Sequence, residues 1–64
     1  MCESRAVVVT DGSEQLLLDD VVELRVLDDG SIKLVNIEGR EMILRDLSLH
    51  RIDFVNHRIY FVKR

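Results

Sequence analysis

The chain has 64 residues, a net charge of −3 and one cysteine. That length allows a single domain, 1–64, and one cysteine excludes an intrachain disulfide, so a metal, a partner chain or an unusually good core is the expected support for so small a domain. A hydrophobic fraction of 47% with 33% charged residues excludes disorder, and the excess of 12 acidic over 9 basic side chains argues against strong binding to a phosphate backbone.

Taken in chain order, short β-branched runs alternate with turn signals, which predicts an all-β domain. Glu3 to Thr10, with Val7, Val8 and Val9, reads as a strand; Asp11-Gly12-Ser13 is the turn and Gln15 to Leu18 the returning strand. Asp19-Asp20 are expected to break the run. Val22 to Leu27 alternates, placing Val22, Leu24 and Val26 on one face and Glu23 and Arg25 on the other. Asp28-Asp29-Gly30 is a hairpin signal, Ile32 to Ile37 a further strand, Glu38-Gly39 a turn and Glu41 to Leu44 a strand.

Arg45 to Leu49 is open between a short connection, a bent strand and one helical turn. Arg51 to Val55 reads as a strand with Ile52 and Phe54 on one face, Asn56-His57 as a turn, and Ile59 to Val62 as the closing strand. Six or seven strands of this length predict a small SH3-like or Sm-like barrel, because closure removes exposed edges. Several runs, such as Val7-Val8-Val9 and Tyr60-Phe61-Val62, are apolar on both faces. One small barrel interior accepts only one set, so the other predicts a homodimer, against a monomer with apolar outer faces.

No stretch approaches the ~18 apolar residues of a membrane span. Residues 1–15 carry Glu3, Arg5, Asp11 and Glu14, which leaves no secretory apolar region. A free thiol without a disulfide framework predicts a reducing, cytoplasmic setting.

Cys2 is the prominent chemical group. Its thiolate is a ligand for soft and borderline metals, and its own backbone nitrogen, once deprotonated, closes a chelate with the sulfur. With Met1 retained that nitrogen is an amide and the Met1 amine adds a donor; with Met1 removed it is a terminal amine. Two such nitrogen–sulfur pairs from two chains would surround one ion with four strong-field donors, an arrangement that suits square-planar nickel(II), whereas zinc prefers tetrahedral side-chain ligands. The competing reading is an incidental thiol at a frayed terminus.

His50 and His57 are candidate ligands, but their spacing matches neither a helical pair nor a zinc motif, and solvated positions explain them. Asp19-Asp20 and Asp28-Asp29 lack the spaced oxygens of a calcium loop and fit turn chemistry. Arg40, Arg45, Arg51, Arg58, Lys63 and Arg64 make the second half more basic, which keeps an Sm-like RNA-binding or protein-interaction module as the alternative. Only Phe54, Tyr60 and Phe61 are available for stacking, all in core-like patterns. No nucleophile turn, phosphate-cradling glycine loop or acid–base pair is present, so the chain is not expected to be an enzyme.

The Met1-Cys2 start, Val22 to Val26 before Asp29-Gly30 and Ile32-Lys33-Leu34, the turn Glu38-Gly39-Arg40-Glu41, and the closing Arg51-Ile52-Asp53-Phe54 and His57-Arg58-Ile59 resemble, over nearly the whole chain, the CooT-type small nickel-binding proteins accessory to nickel insertion into carbon monoxide dehydrogenase. The resemblance implies a homodimer of small SH3-like barrels with Ni(II) at the dimer interface. It implies Cys2 of each chain as the essential ligand and Met1 as a backbone contributor. It also implies a metallochaperone whose client is a nickel enzyme. The chain has no histidine-rich tail, so nickel storage by such a tail is not implied.

Overall fold

Asp-Gly turns and β-branched runs produce six strands and no helix among residues 3–64, which the computed structural model describes: β1 (Ser4–Thr10), β2 (Ser13–Val26), β3 (Ile32–Asn36), β4 (Glu41–Leu44), β5 (Leu47–Asp53) and β6 (Arg58–Lys63). The β1–β2 loop is Asp11-Gly12, with φ of 51° and 80°, between paired Thr10 and Ser13. Two left-handed residues in a two-residue loop match the twist of the flanking strands.

Asp19-Asp20 do not break the run. β2 continues through them because its extra residues are absorbed as bulges. Ser4 pairs with Val21 and Ala6 with Leu18, so β2 carries one residue more than β1 across that interval, and Asp20 takes φ 55° there. Another shift separates Ala6–Leu18 from Val7–Leu16, and one against β3 separates Val21–Asn36 from Glu23–Val35. Each bulge bends the strand and increases its twist. One strand thereby pairs with β1 along its first half and with β3 along its second.

The last of these bulges also corrects the predicted face. Val22 is the extra residue, so Val21 turns inward at 2% exposure and Val22 is 51% exposed. Leu24 still packs against the core, while Val26 is exposed.

The strands form one sheet in the order β4-β3-β2-β1-β6-β5, curled into a half-barrel, a small barrel-like all-β fold. All neighbours are antiparallel except β1 and β6, which run parallel with Arg5 beside Arg58 and Val9 beside Val62. The first and last strands are therefore neighbours within the sheet, and neither is at its edge. Ala6, Leu18, Val21, Ile32, Leu34, Leu44, Ile59 and Phe61 fill the concave side. Burying such a side chain stabilises the fold by roughly 1.5–3 kcal/mol before entropy is subtracted. The Arg64 N–H donates to the Asp46 carbonyl at 3.1 Å, tying the chain end to the β4–β5 connection.

The open segment after β4 becomes the start of β5, and His50 is the extra residue of a further bulge, between the Leu49–Phe61 and Arg51–Tyr60 pairs. The strand predicted over Arg51 to Val55 ends at Asp53. The Asp53 carboxylate accepts the N–H groups of Val55 and Asn56, which diverts the backbone from the ladder into a turn. Phe54 is thus not part of a strand face.

The two buried polar residues among those described, Ser31 and Asn36, have hydrogen-bond partners. Asn36 Oδ1 accepts the N–H groups of Glu38 at 3.1 Å and Arg40 at 2.8 Å. Asp29 Oδ1 accepts the Ser31 hydroxyl at 2.6 Å and the Ser31 N–H at 2.9 Å. Such pairing removes the cost of burying these groups.

Candidate metal centre

Met1 and Cys2 lie outside the described residues, so the candidate site is built from the positions that follow them. Ser4 begins β1 opposite Val21, and the Arg5 N–H donates to the His57 carbonyl at 2.9 Å. Ser4 and Arg5 are thereby fixed between the bulge of β2 and the turn before β6.

Two clefts meet there, each of about 300 Å³, and Ser4 lines both. The first is polar, with Glu3, Arg5, Asp19, Asp20, His57 and Arg58 in its walls. Arg5 Nε pairs with Asp19 Oδ1 at 3.3 Å and Arg58 Nη1 with Glu14 Oε1 at 3.3 Å. Exposed pairs of this kind contribute little to stability. Glu3 Oε2 is out of solvent contact with no hydrogen-bond partner among the described residues. A carboxylate oxygen so placed, one residue from Cys2, favours a nearby cation or donor.

The second cleft is apolar, lined by Val21, Val22, Leu24, Ile52, Phe54 and Ile59, with Glu23 at its side. Phe54 is 80% and Val55 86% exposed at the β5–β6 turn. Sequence reasoning missed this pair because Ile52 and Phe54 fit a strand alternation. The signal that identifies it is Asp53 followed three residues later by Asn56, a side-chain-closed turn with apolar residues inside it.

The structure does not bring the histidines together as a site. His50 is exposed in its bulge, and His57 is exposed in the turn at φ 55°. No group of three or more His, Cys, Asp or Glu side chains is arranged to hold a metal ion among the described residues. Asp20 and Asp29 serve a bulge and a turn, as their chemistry suggests. Hydrogen bonds from Ser31 hold the Asp29 carboxyl below its ordinary value, and those from Asn56 do the same for Asp53.

Three of the six cations singled out in the second half are engaged by neighbouring groups. The Arg51 guanidinium lies 3.8 Å from the Tyr60 ring centroid, Arg58 pairs with Glu14, and Arg64 Nη2 donates to the Gly30 carbonyl at 3.0 Å. Tyr60 and Phe61 are buried and Phe54, though exposed, is a lone ring at the β5–β6 turn, so no set of stacking aromatics accompanies these cations among the described residues. No helix among the described residues is long and apolar enough to cross a membrane.

The family model described as CO dehydrogenase accessory protein CooT matches residues 1–61. Among solved structures, the chain is similar to a protein assigned as a CooT from Carboxydothermus hydrogenoformans, with 28% identity, a TM-score of 0.87 and 98% of each chain covered. No curated protein matches the chain.

Proposed function

Because the chain belongs to the CooT family of CO dehydrogenase accessory proteins, an accessory protein and not a catalyst, we propose that it carries nickel(II) as cargo between two copies of itself. The Cys2 thiolates are the ligands and carbon monoxide dehydrogenase is the client. The observation that carries this reading is the reach of the family match, residues 1–61, which takes in Met1 and Cys2.

The surroundings of the chain start support it. Glu3 contributes a carboxylate oxygen without a partner among the described residues, which favours a cation nearby. Ser4, two residues from Cys2 in sequence, opens onto an apolar groove that suits a second copy. One thiolate is a weak site; two, each with its backbone nitrogen, form a chelate suited to d⁸ nickel. Met1 contributes through its backbone. A ligand set at a chain end stays open to an incoming donor, so nickel leaves by stepwise ligand exchange to the client. Thiolate chemistry of this kind belongs in a reducing compartment, hence the cytoplasm.

Native mass spectrometry with and without nickel, on the wild type and Cys2→Ser, tests the reading. The expected result is one nickel per two wild-type chains and none on Cys2→Ser, with loss of the thiolate-to-nickel absorption. Equal nickel uptake by the two proteins overturns it.

A further inference from the structure

We infer that two copies join through the Phe54 turn, each Phe54 entering the apolar groove of the other across a two-fold axis. The inference rests on the reading that two copies share one nickel, and it names the surface that joins them.

Single exposed apolar residues are ordinary, but an aromatic ring held out of the core by a closed turn is not. Phe54 and Val55 are the most exposed of the large hydrophobic residues among those described. Asp53 Oδ1 accepts the N–H groups of Val55 and Asn56, both at 3.0 Å, and Asp53 Oδ2 accepts the Asn56 side-chain amide at 2.8 Å. A turn closed this way presents its ring already ordered, which lowers the entropy cost of docking.

The groove lies beside the ring, and Phe54 forms one of its walls. A projecting aromatic and an apolar cleft on one patch meet the requirement of an isologous contact, in which residue i touches residue j and j touches i. Phe54, Val55, Val22 and Ile52 together leave roughly 450 Å² of side-chain surface exposed per copy, judged from their fractional exposure and typical residue areas. A standard interface covers about 800 Å² per partner, a little over half of it apolar, so the patch supplies the apolar share of one such interface.

Two copies of net charge −3 repel overall, but the groove itself adds little charge to the contact. Among the described residues, Glu23 is the only ionisable side chain lining the groove, and Arg25 Nη2 donates to its Oε2 at 2.7 Å. Ser4, two residues from Cys2 in sequence, lines the same groove, so the contact that joins the copies also brings their Ser4 residues toward one axis.

The experiment is sedimentation equilibrium on metal-free wild type, Phe54→Asp, Val22→Asp, Ile43→Asp and Cys2→Ser, with circular dichroism to confirm that each retains its sheet. Ile43 is exposed on β4 and lines neither cleft. Wild type, Cys2→Ser and Ile43→Asp are expected to dimerise alike, and the two groove variants to do so at least about thirtyfold more weakly, as for a central aromatic anchor. A monomeric wild type, or groove variants as dimeric as wild type, overturns the inference. Val22→Asp decides the matter independently should Phe54→Asp fail to fold. Nickel bound by Cys2→Ser counts against the metal reading alone, so the two failures are separable.

Discussion

Asn56 closes the β5–β6 turn onto Asp53, its backbone N–H and its side-chain amide donating to the two oxygens of one carboxylate at 3.0 and 2.8 Å. Every donor in this turn favours the charged carboxylate, so the Asp53 carboxyl is held below its ordinary value of 3.8. A depressed folded-state value means that the turn stabilises the protein fully above the ordinary value. That contribution is lost as pH falls through the lower, folded-state value.

The pH dependence follows from that sign. Asp29, held down by Ser31, has the same sign at the β2–β3 turn. Thermal unfolding followed from neutral pH into strong acid should show stability falling only once pH drops below the ordinary carboxylate range. Asp53→Asn keeps an acceptor without the charge, so its melting temperature should start lower and fall less steeply with acid. Identical pH profiles for the two proteins would show that this turn is not coupled to folding.

Phe61 carries the centre of the core. It is fully buried on the strand that pairs parallel to β1 and antiparallel to β5. Phe61→Ala removes a ring from a site that three strands enclose, so a loss of about 3–5 kcal/mol is expected. For a domain of this size that is a large part of total stability. The protein should be unfolded, or nearly so, at room temperature by circular dichroism. Phe61→Leu keeps most of the volume and should remain folded with a lowered melting temperature.

What was legible in the sequence was local. Asp11-Gly12, Asp29-Gly30 and Glu38-Gly39 announce turns through their own backbone needs, and the strands between them follow. The Met1-Cys2 start and the closing Ile52-Asp53-Phe54 identified the family, since they are fixed combinations of residues and not periodic patterns. What was not legible depends on strands that are distant in sequence. Asp19-Asp20 looks like a break because two acidic residues suit a turn, yet it is a bulge that only pairing with Ser4 and Ala6 defines. Val22 reads as inward by simple alternation, which leaves out the bulge that makes Val21 the inward residue. The parallel pairing of β1 with β6 has no local signature at all.

Asp20 offers a direct test of that bulge. Its φ of 55° lies in the left-handed region, which Asp and Asn tolerate and β-branched residues do not. Asp20→Val should cost about 1–2 kcal/mol, while Asp20→Asn and Asp20→Gly should leave stability within about 0.5 kcal/mol of wild type. Chemical denaturation midpoints decide it. Equal midpoints for Val and Asn would mean that β2 relaxes to a regular strand when the left-handed residue is removed.

Nickel and dimerisation are two sides of one equilibrium if the ion is shared between two chain starts. Linkage then requires that nickel strengthen the dimer by the same factor by which the dimer strengthens nickel binding. Half-saturation should move to higher nickel concentration as the protein is diluted through its dimer dissociation range. Sedimentation at a fixed low protein concentration should show dimer accumulating as nickel is added. Binding also releases protons from sulfur and, with Met1 retained, from the backbone amide, so affinity should rise steeply with pH. Zinc, which prefers tetrahedral side-chain ligands, should drive the dimer less than nickel at equal concentration. Phe54→Asp, which weakens the contact while leaving both thiols in place, should shift the nickel midpoint upward without removing binding. A nickel midpoint that stays fixed while dilution separates the copies would place the ion on one chain alone and end the shared-site reading.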